Sequence, residues 1–181
     1  MSSNSPTSFR RERFFDASAT DPGPRRLLAL LLAQDGSTTR LCETIAAGPI
    51  TLQLLHQAPT ADVPAAVREA LPGTRFIERI TSLCAHGEVM MDNLTYIALG
   101  DLDRTLQRDL EAGELPIGHL LARLWVRREP VAGAEALHER LWGTVGLPDA
   151  AATRAYRILT PEGPRMLIAE TYRRGMRMEQ S

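Results

Sequence analysis

The stretch 74–99, TRFIERITSLCAHGEVMMDNLTYIAL, constrains this chain more than any other. It holds two long runs rich in Ile, Leu, Thr, Val, Met and Tyr around Ala85-His86-Gly87. Residues of these types with a turn between them read as two strands of a hairpin. Strands joined by so short a turn must be antiparallel, because a parallel pair needs a crossover of about a dozen residues or more. A second hairpin closes the chain: TRAYRILT, the turn PEGP, then RMLIAETYRR. ITLQLLHQ alternates well enough to add a further strand, and WVRREPVAG reads as extended.

Helices fill the spaces between. RRLLALLLAQ has strong helix formers and is stopped at Asp35-Gly36. Ser37 or Thr38 then caps a short helix through TTRLCETIAA. VPAAVREALPG is a helix begun at Pro64 and stopped at Pro72-Gly73. DLDRTLQRDLEAG has Asp101 as its N-cap and Gly113 as its stop, and LPIGHLLARL is another short helix. ALHERLWGTVG is either a short helix or irregular. The reading is α+β: an antiparallel sheet with helices on one face, in a single domain over 25–176. Residues 1–24 are Ser- and Pro-rich and are expected to be a disordered or loosely docked tail, with Phe9, Phe14 and Phe15 able to dock, and 177–181 form a short C-terminal tail.

Composition removes several functions. The net charge of -1 gives no reason to expect sequence-independent attraction to phosphate. All 21 basic residues are Arg, so no lysine is there to form a Schiff base or act as a general base. Cys42, Cys84 and the four His show no metal-ligand spacing. The seven-residue run LLALLLA is too short to span a bilayer. The expectation is a soluble cytoplasmic protein with two buried thiols, no cofactor, no nucleic-acid partner and no membrane partner. The oligomeric state is left open between monomer and dimer.

Two charges interrupt otherwise apolar strand faces. Arg79 shares a face with Ile77, Thr81 and Leu83; Glu170 shares one with Met166, Ile168 and Tyr172. The outer face of a sheet tolerates such residues when it is wet. Buried, each would need a partner or a ligand, because an unpaired ion in a core costs several kcal/mol by order of magnitude. Arg presents a planar fork that matches a carboxylate. A carboxyl among apolar neighbours is suited to general acid work. Periodicity alone leaves both readings open.

The ordered segments LLLAQDGSTTRL, ITLQLLHQ, ERITSLCAHGE, LPIGHLL and YRILTPEGPRMLIAETYRRG resemble the chorismate pyruvate-lyase family, in its short actinobacterial form. The resemblance implies a six-stranded antiparallel sheet with helical flaps over an enclosed ligand pocket. It implies a cofactor-independent carbon–oxygen lyase of aromatic acid biosynthesis and secondary metabolism, making pyruvate and 4-hydroxybenzoate from chorismate. Residue by residue, it assigns the ligand-carboxylate arginine to Arg79 and the glutamate at the hydroxyl end to Glu170, both as catalytic residues. It assigns two flap positions to Ile117 and Ser37, substrate contacts through backbone amides; Ser37 departs from the Met of enteric members. Two alternatives stand beside it. One is a relative acting on another small aromatic or pre-aromatic acid. The other is a non-catalytic small-acid-binding domain, as in one family of bacterial regulators of this lyase-like fold. Those normally follow a winged-helix domain, for which the 24 residues before the first helix are too few.

Overall fold

The computed structural model describes residues 8–15, 22–100, 104–112, 115–122 and 124–177. Asp101 and Gly113, expected to cap and stop a helix, lie outside them. Among the described residues twelve α-helices and strands follow in the order α1 (Pro22–Ala33), α2 (Thr38–Ile45), β1 (Thr51–Thr60), α3 (Ala65–Ala70), β2 (Phe76–Ala85), β3 (Glu88–Ala98), α4 (Arg104–Ala112), α5 (Ile117–Leu121), β4 (Arg127–Pro130), α6 (Glu135–Val145), β5 (Thr153–Thr160) and β6 (Gly163–Tyr172). The ambiguous ALHERLWGTVG is the helix α6. Leu137 and Leu141, one turn apart, are fully buried, and Gly146 ends the helix at φ 73°.

The strands form one open antiparallel sheet in the order β1-β2-β3-β6-β5-β4. The β2–β3 turn places His86 and Gly87 at φ 50° and 79°, a backbone that glycine adopts without cost and histidine adopts less readily. The exposed His86 lies with its ring 2.9 Å from the Ala46 carbonyl, at the end of α2.

Helices pack on both faces, which corrects the expectation of helices on one. Every residue of β2 is buried, and so is every residue of β3 after Glu88. Their sequences are apolar in both parities, so both faces had to be covered. On one face Ile80, Leu94, Tyr96, Leu167 and Ala169 pack with Val67 of α3 and Leu137 and Leu141 of α6. On the other, Ile77, Ile97, Ile158, Met166 and Ile168 meet Leu110 of α4 and Leu120 and Leu121 of α5. Farther along that face, Leu83, Met91 and Tyr172 meet Leu28 and Leu31 of α1 and Cys42 of α2.

The segment 8–15 is built into this structure rather than loosely docked. Arg10 exchanges backbone hydrogen bonds with the hairpin, to Gly87 at 2.8 Å and from Val89 at 2.9 Å. Phe14 is fully buried among Leu28, Met90 and Met176. Arg11 reaches the buried pair of Asp92 and Arg173, which meet at 2.6 Å.

Candidate functional site

Arg79 and Glu170 lie on the same sheet face, the one covered by α1, α2, α4 and α5. Thr81, Asn93 and Glu170 are successive register partners across β2, β3 and β6, and Arg79 is two residues from Thr81. Strand spacing of about 4.8 Å and a rise of about 3.3 Å per residue put the two Cα atoms roughly 12 Å apart. Both side chains are buried, so the wet-face reading fails for each.

Glu170 has the partners its burial requires. Arg154 sits opposite it on β5 and brings Nε and Nη2 to Oε2, each at 3.0 Å. The Thr38 hydroxyl donates to Oε2 at 3.1 Å and the Tyr156 hydroxyl to Oε1 at 2.7 Å. Tyr172 lies 3.4 Å from Oε2, but its single proton has a nearer acceptor in the Leu31 carbonyl at 3.0 Å. Burial is the largest influence on Arg154 and works against its charge, but Glu170, Tyr172 and Tyr156 together outweigh it and hold the guanidinium above its ordinary pKa. Burial, then the Glu170 charge, pushes Tyr156 well up. The arginine also stacks over the Tyr156 ring at 4.9 Å. Each contact uses Glu170 as acceptor. The carboxyl therefore sits among polar partners and not only the apolar neighbours that the strand pattern indicates.

Above this floor is a cavity of about 30 Å3, lined among others by Thr38, Thr39, Asn93, Ile117, Leu121 and Glu170. Its roof is the start of α2 and of α5. Gly118 approaches Thr39 so closely that an added Cβ would lie 2.1 Å from the Thr39 hydroxyl, and His119 meets Glu43 at 2.7 Å. Ser37 does not line the cavity; it caps α2, accepting from the Arg40 amide at 3.4 Å. Arg79 also stands outside the lining. Its Nη2 donates to the Leu115 carbonyl at 2.8 Å, just before α5, and burial lowers its pKa. A cavity of this size takes one or two waters, not a six-membered ring. The enclosed ligand pocket implied by the lyase resemblance is therefore corrected to a small cavity of mixed polar and apolar lining under two helix ends.

The residues that sequence reasoning missed are Arg154, Tyr156, Thr38 and Arg128. The first two were legible in part, since TRAYRILT alternates Arg154, Tyr156 and Ile158 on one face. Among the described residues no group of three or more His, Cys, Asp or Glu could hold a metal ion. No helix there is long and apolar enough to cross a membrane.

No family model matches the chain, and no curated protein matches it. Solved structures do. A transcriptional regulator of the GntR family from Bacillus cereus has a TM-score of 0.44 at 8% identity, covering 73% of this chain and 96% of that one. The C-terminal domain of the histidine utilization repressor from Pseudomonas syringae has a TM-score of 0.42 at 13% identity, covering 73% and 96%. A gene product of Staphylococcus aureus has a TM-score of 0.43 at 11% identity, covering 70% and 85%. At these values the likeness places the chain in no family. It does correct the lyase expectations. Of eight similar structures, seven are named as transcriptional regulators or a repressor and none of the eight as a chorismate lyase. The resemblance to that family, its fold, the activity on chorismate and the associated pathway are withdrawn with it. So is the expectation of no nucleic-acid partner, since several of these structures are named as transcriptional regulators.

Proposed function

We propose that this chain is a small-molecule-binding domain, without catalysis, whose ligand is a small carboxylic acid seated on the inner sheet face between Arg79 and Glu170. The observation that carries this reading is the buried cluster of Glu170, Arg154, Tyr156 and Thr38 at the floor of the cavity. A buried ion pair contributes little net stability compared with apolar residues of the same volume. It does give a ligand directional partners inside an otherwise apolar surround. Glu170 Oε1 keeps a second lone pair for a ligand donor. Arg79 would take the carboxylate, exchanging the Leu115 carbonyl for it and so loosening the segment that leads into α5. Ile117 would contact the ligand from the roof, and Ser37 would hold the start of α2 in place. Seating an acid requires α5 to lift, because the closed cavity is too small. A cytoplasmic setting belongs to the same proposal, supported by two free, buried cysteines.

The test is thermal shift and calorimetry of the whole chain against a panel of small aliphatic and aromatic carboxylic acids at pH 7. A ligand at a hundred times its Kd stabilises the folded state by about 2.7 kcal/mol. Saturable binding of at least one acid is expected. It should weaken in Arg79→Met, which keeps the volume and removes the fork, and be lost in Ile117→Trp, which fills the roof. Binding of equal strength in both variants, or no acid that binds, refutes the proposal.

A further inference from the structure

A second cavity, of about 110 Å3, adjoins the first between the C-terminal end of α1 and strands β4 and β5. Ala33, Gln34, Asp35 and Pro130 line it, and Arg128 and Tyr156 line both cavities. Two polar atoms of its lining residues are buried with no hydrogen-bond partner among the described residues: Arg128 Nε, a donor, and Gln34 Oε1, an acceptor. A buried group left unpaired carries a desolvation cost that a partner removes.

The roles of the two atoms are fixed by their surroundings. Thr38 gives its one hydroxyl proton to Glu170, so it must accept from the Gln34 amide nitrogen, at 3.2 Å. That orients the amide and leaves Oε1 as acceptor. Arg128 spends Nη1 on the Asp35 carbonyl at 3.1 Å, which leaves Nε as donor. The lining carries no surplus of positive charge. Arg154 is bound to Glu170, and the lining holds one carboxylate, Asp35, for the one remaining arginine, Arg128. A second carboxylate or a phosphate would gain little there. A hydroxyl both accepts and donates, so its chemistry matches the donor Arg128 Nε and the acceptor Gln34 Oε1 alike.

We infer that this second cavity is a subsite for a hydroxyl-bearing arm of the ligand, so that the bound molecule is a hydroxylated acid rather than a plain one. The inference rests on the proposed seating of an acid at Glu170. It is tested by calorimetry on the whole chain with two matched pairs: 3-methylbenzoate against 3-(hydroxymethyl)benzoate, and hexanoate against 6-hydroxyhexanoate. The blocking variant is Ala33→Phe, at an exposed position in the last turn of α1 that lines only the second cavity. In at least one pair the hydroxylated acid should bind the natural chain about tenfold more tightly. That gain should vanish in Ala33→Phe while the plain acid binds both proteins alike. A gain in neither pair, or one that survives Ala33→Phe, overturns the subsite alone and leaves the cavity to solvent. If neither these four acids nor any acid of the panel binds the natural chain, the small-acid reading falls and the subsite with it.

Discussion

Removing the charge of Glu170 is the sharpest test of how the sheet face is built. In Glu170→Gln the shape persists, but Arg154, whose side chain is 12% exposed, loses its counter-ion. Breaking a buried pair from one side costs about 3–5 kcal/mol, chiefly because the remaining charge is stranded. Arg154 keeps the Gln34 carbonyl at 2.5 Å and a long contact to Leu32 at 3.5 Å, so the lower end, about 3 kcal/mol, is expected. For a chain of this size that lowers Tm by roughly 6–12 °C. Arg154→Met should cost a similar amount, and the double variant Glu170→Met/Arg154→Met much less than the sum, because apolar residues of similar volume replace both ions. The assay is urea unfolding at pH 7, with the midpoint compared at constant slope. Single variants costing under about 1 kcal/mol, or losses that add in the double variant within roughly 0.5 kcal/mol, would show that the two charges are not coupled in the way the distances indicate.

Three further outcomes follow from other parts of the molecule. Phe14→Ala should destabilise by about 3–5 kcal/mol, since the ring is fully buried; a change near zero in urea unfolding would mean that segment 8–15 is not part of the core. Gly118→Ala should cost about 1–3 kcal/mol by forcing α5 away from Thr39, and Thr39→Ala in the same chain should restore only part of it, because the Cβ at position 39 would still lie 2.7 Å from the new one; no rescue would refute the close approach. Burial pushes the Glu78 carboxyl up, but the hydrogen bonds from Arg140 and Tyr96 and the Arg140 charge pull it below its ordinary value. A depressed folded pKa gives stability that is present above the unfolded value of about 4.3 and is lost as pH falls through the folded one. The stability gap between the natural chain and Glu78→Gln should therefore shrink below about pH 4; a gap constant from pH 7 to 3 would contradict the assignment.

The sequence by itself determined the two hairpins, most of the helices and the two misplaced charges, because turn residues and side-chain period are local properties. It also decided that the central strands are apolar in both parities, a pattern whose consequence is a helix layer on each face. What only the tertiary structure decided is which residues meet Glu170. Counted from the turn, where Thr160 faces Gly163, the terminal hairpin would set Glu170 opposite Thr153. A bulge between Ile158 and Leu159 moves the register by one residue, and Arg154 faces Glu170 instead. One residue of register turns a whole strand over, so this bulge puts Arg154 and Tyr156 on the cavity side. Strand periodicity carries no record of such a shift. Nor does it record that Thr38, more than a hundred residues upstream, arrives on the same carboxylate through the packing of α2.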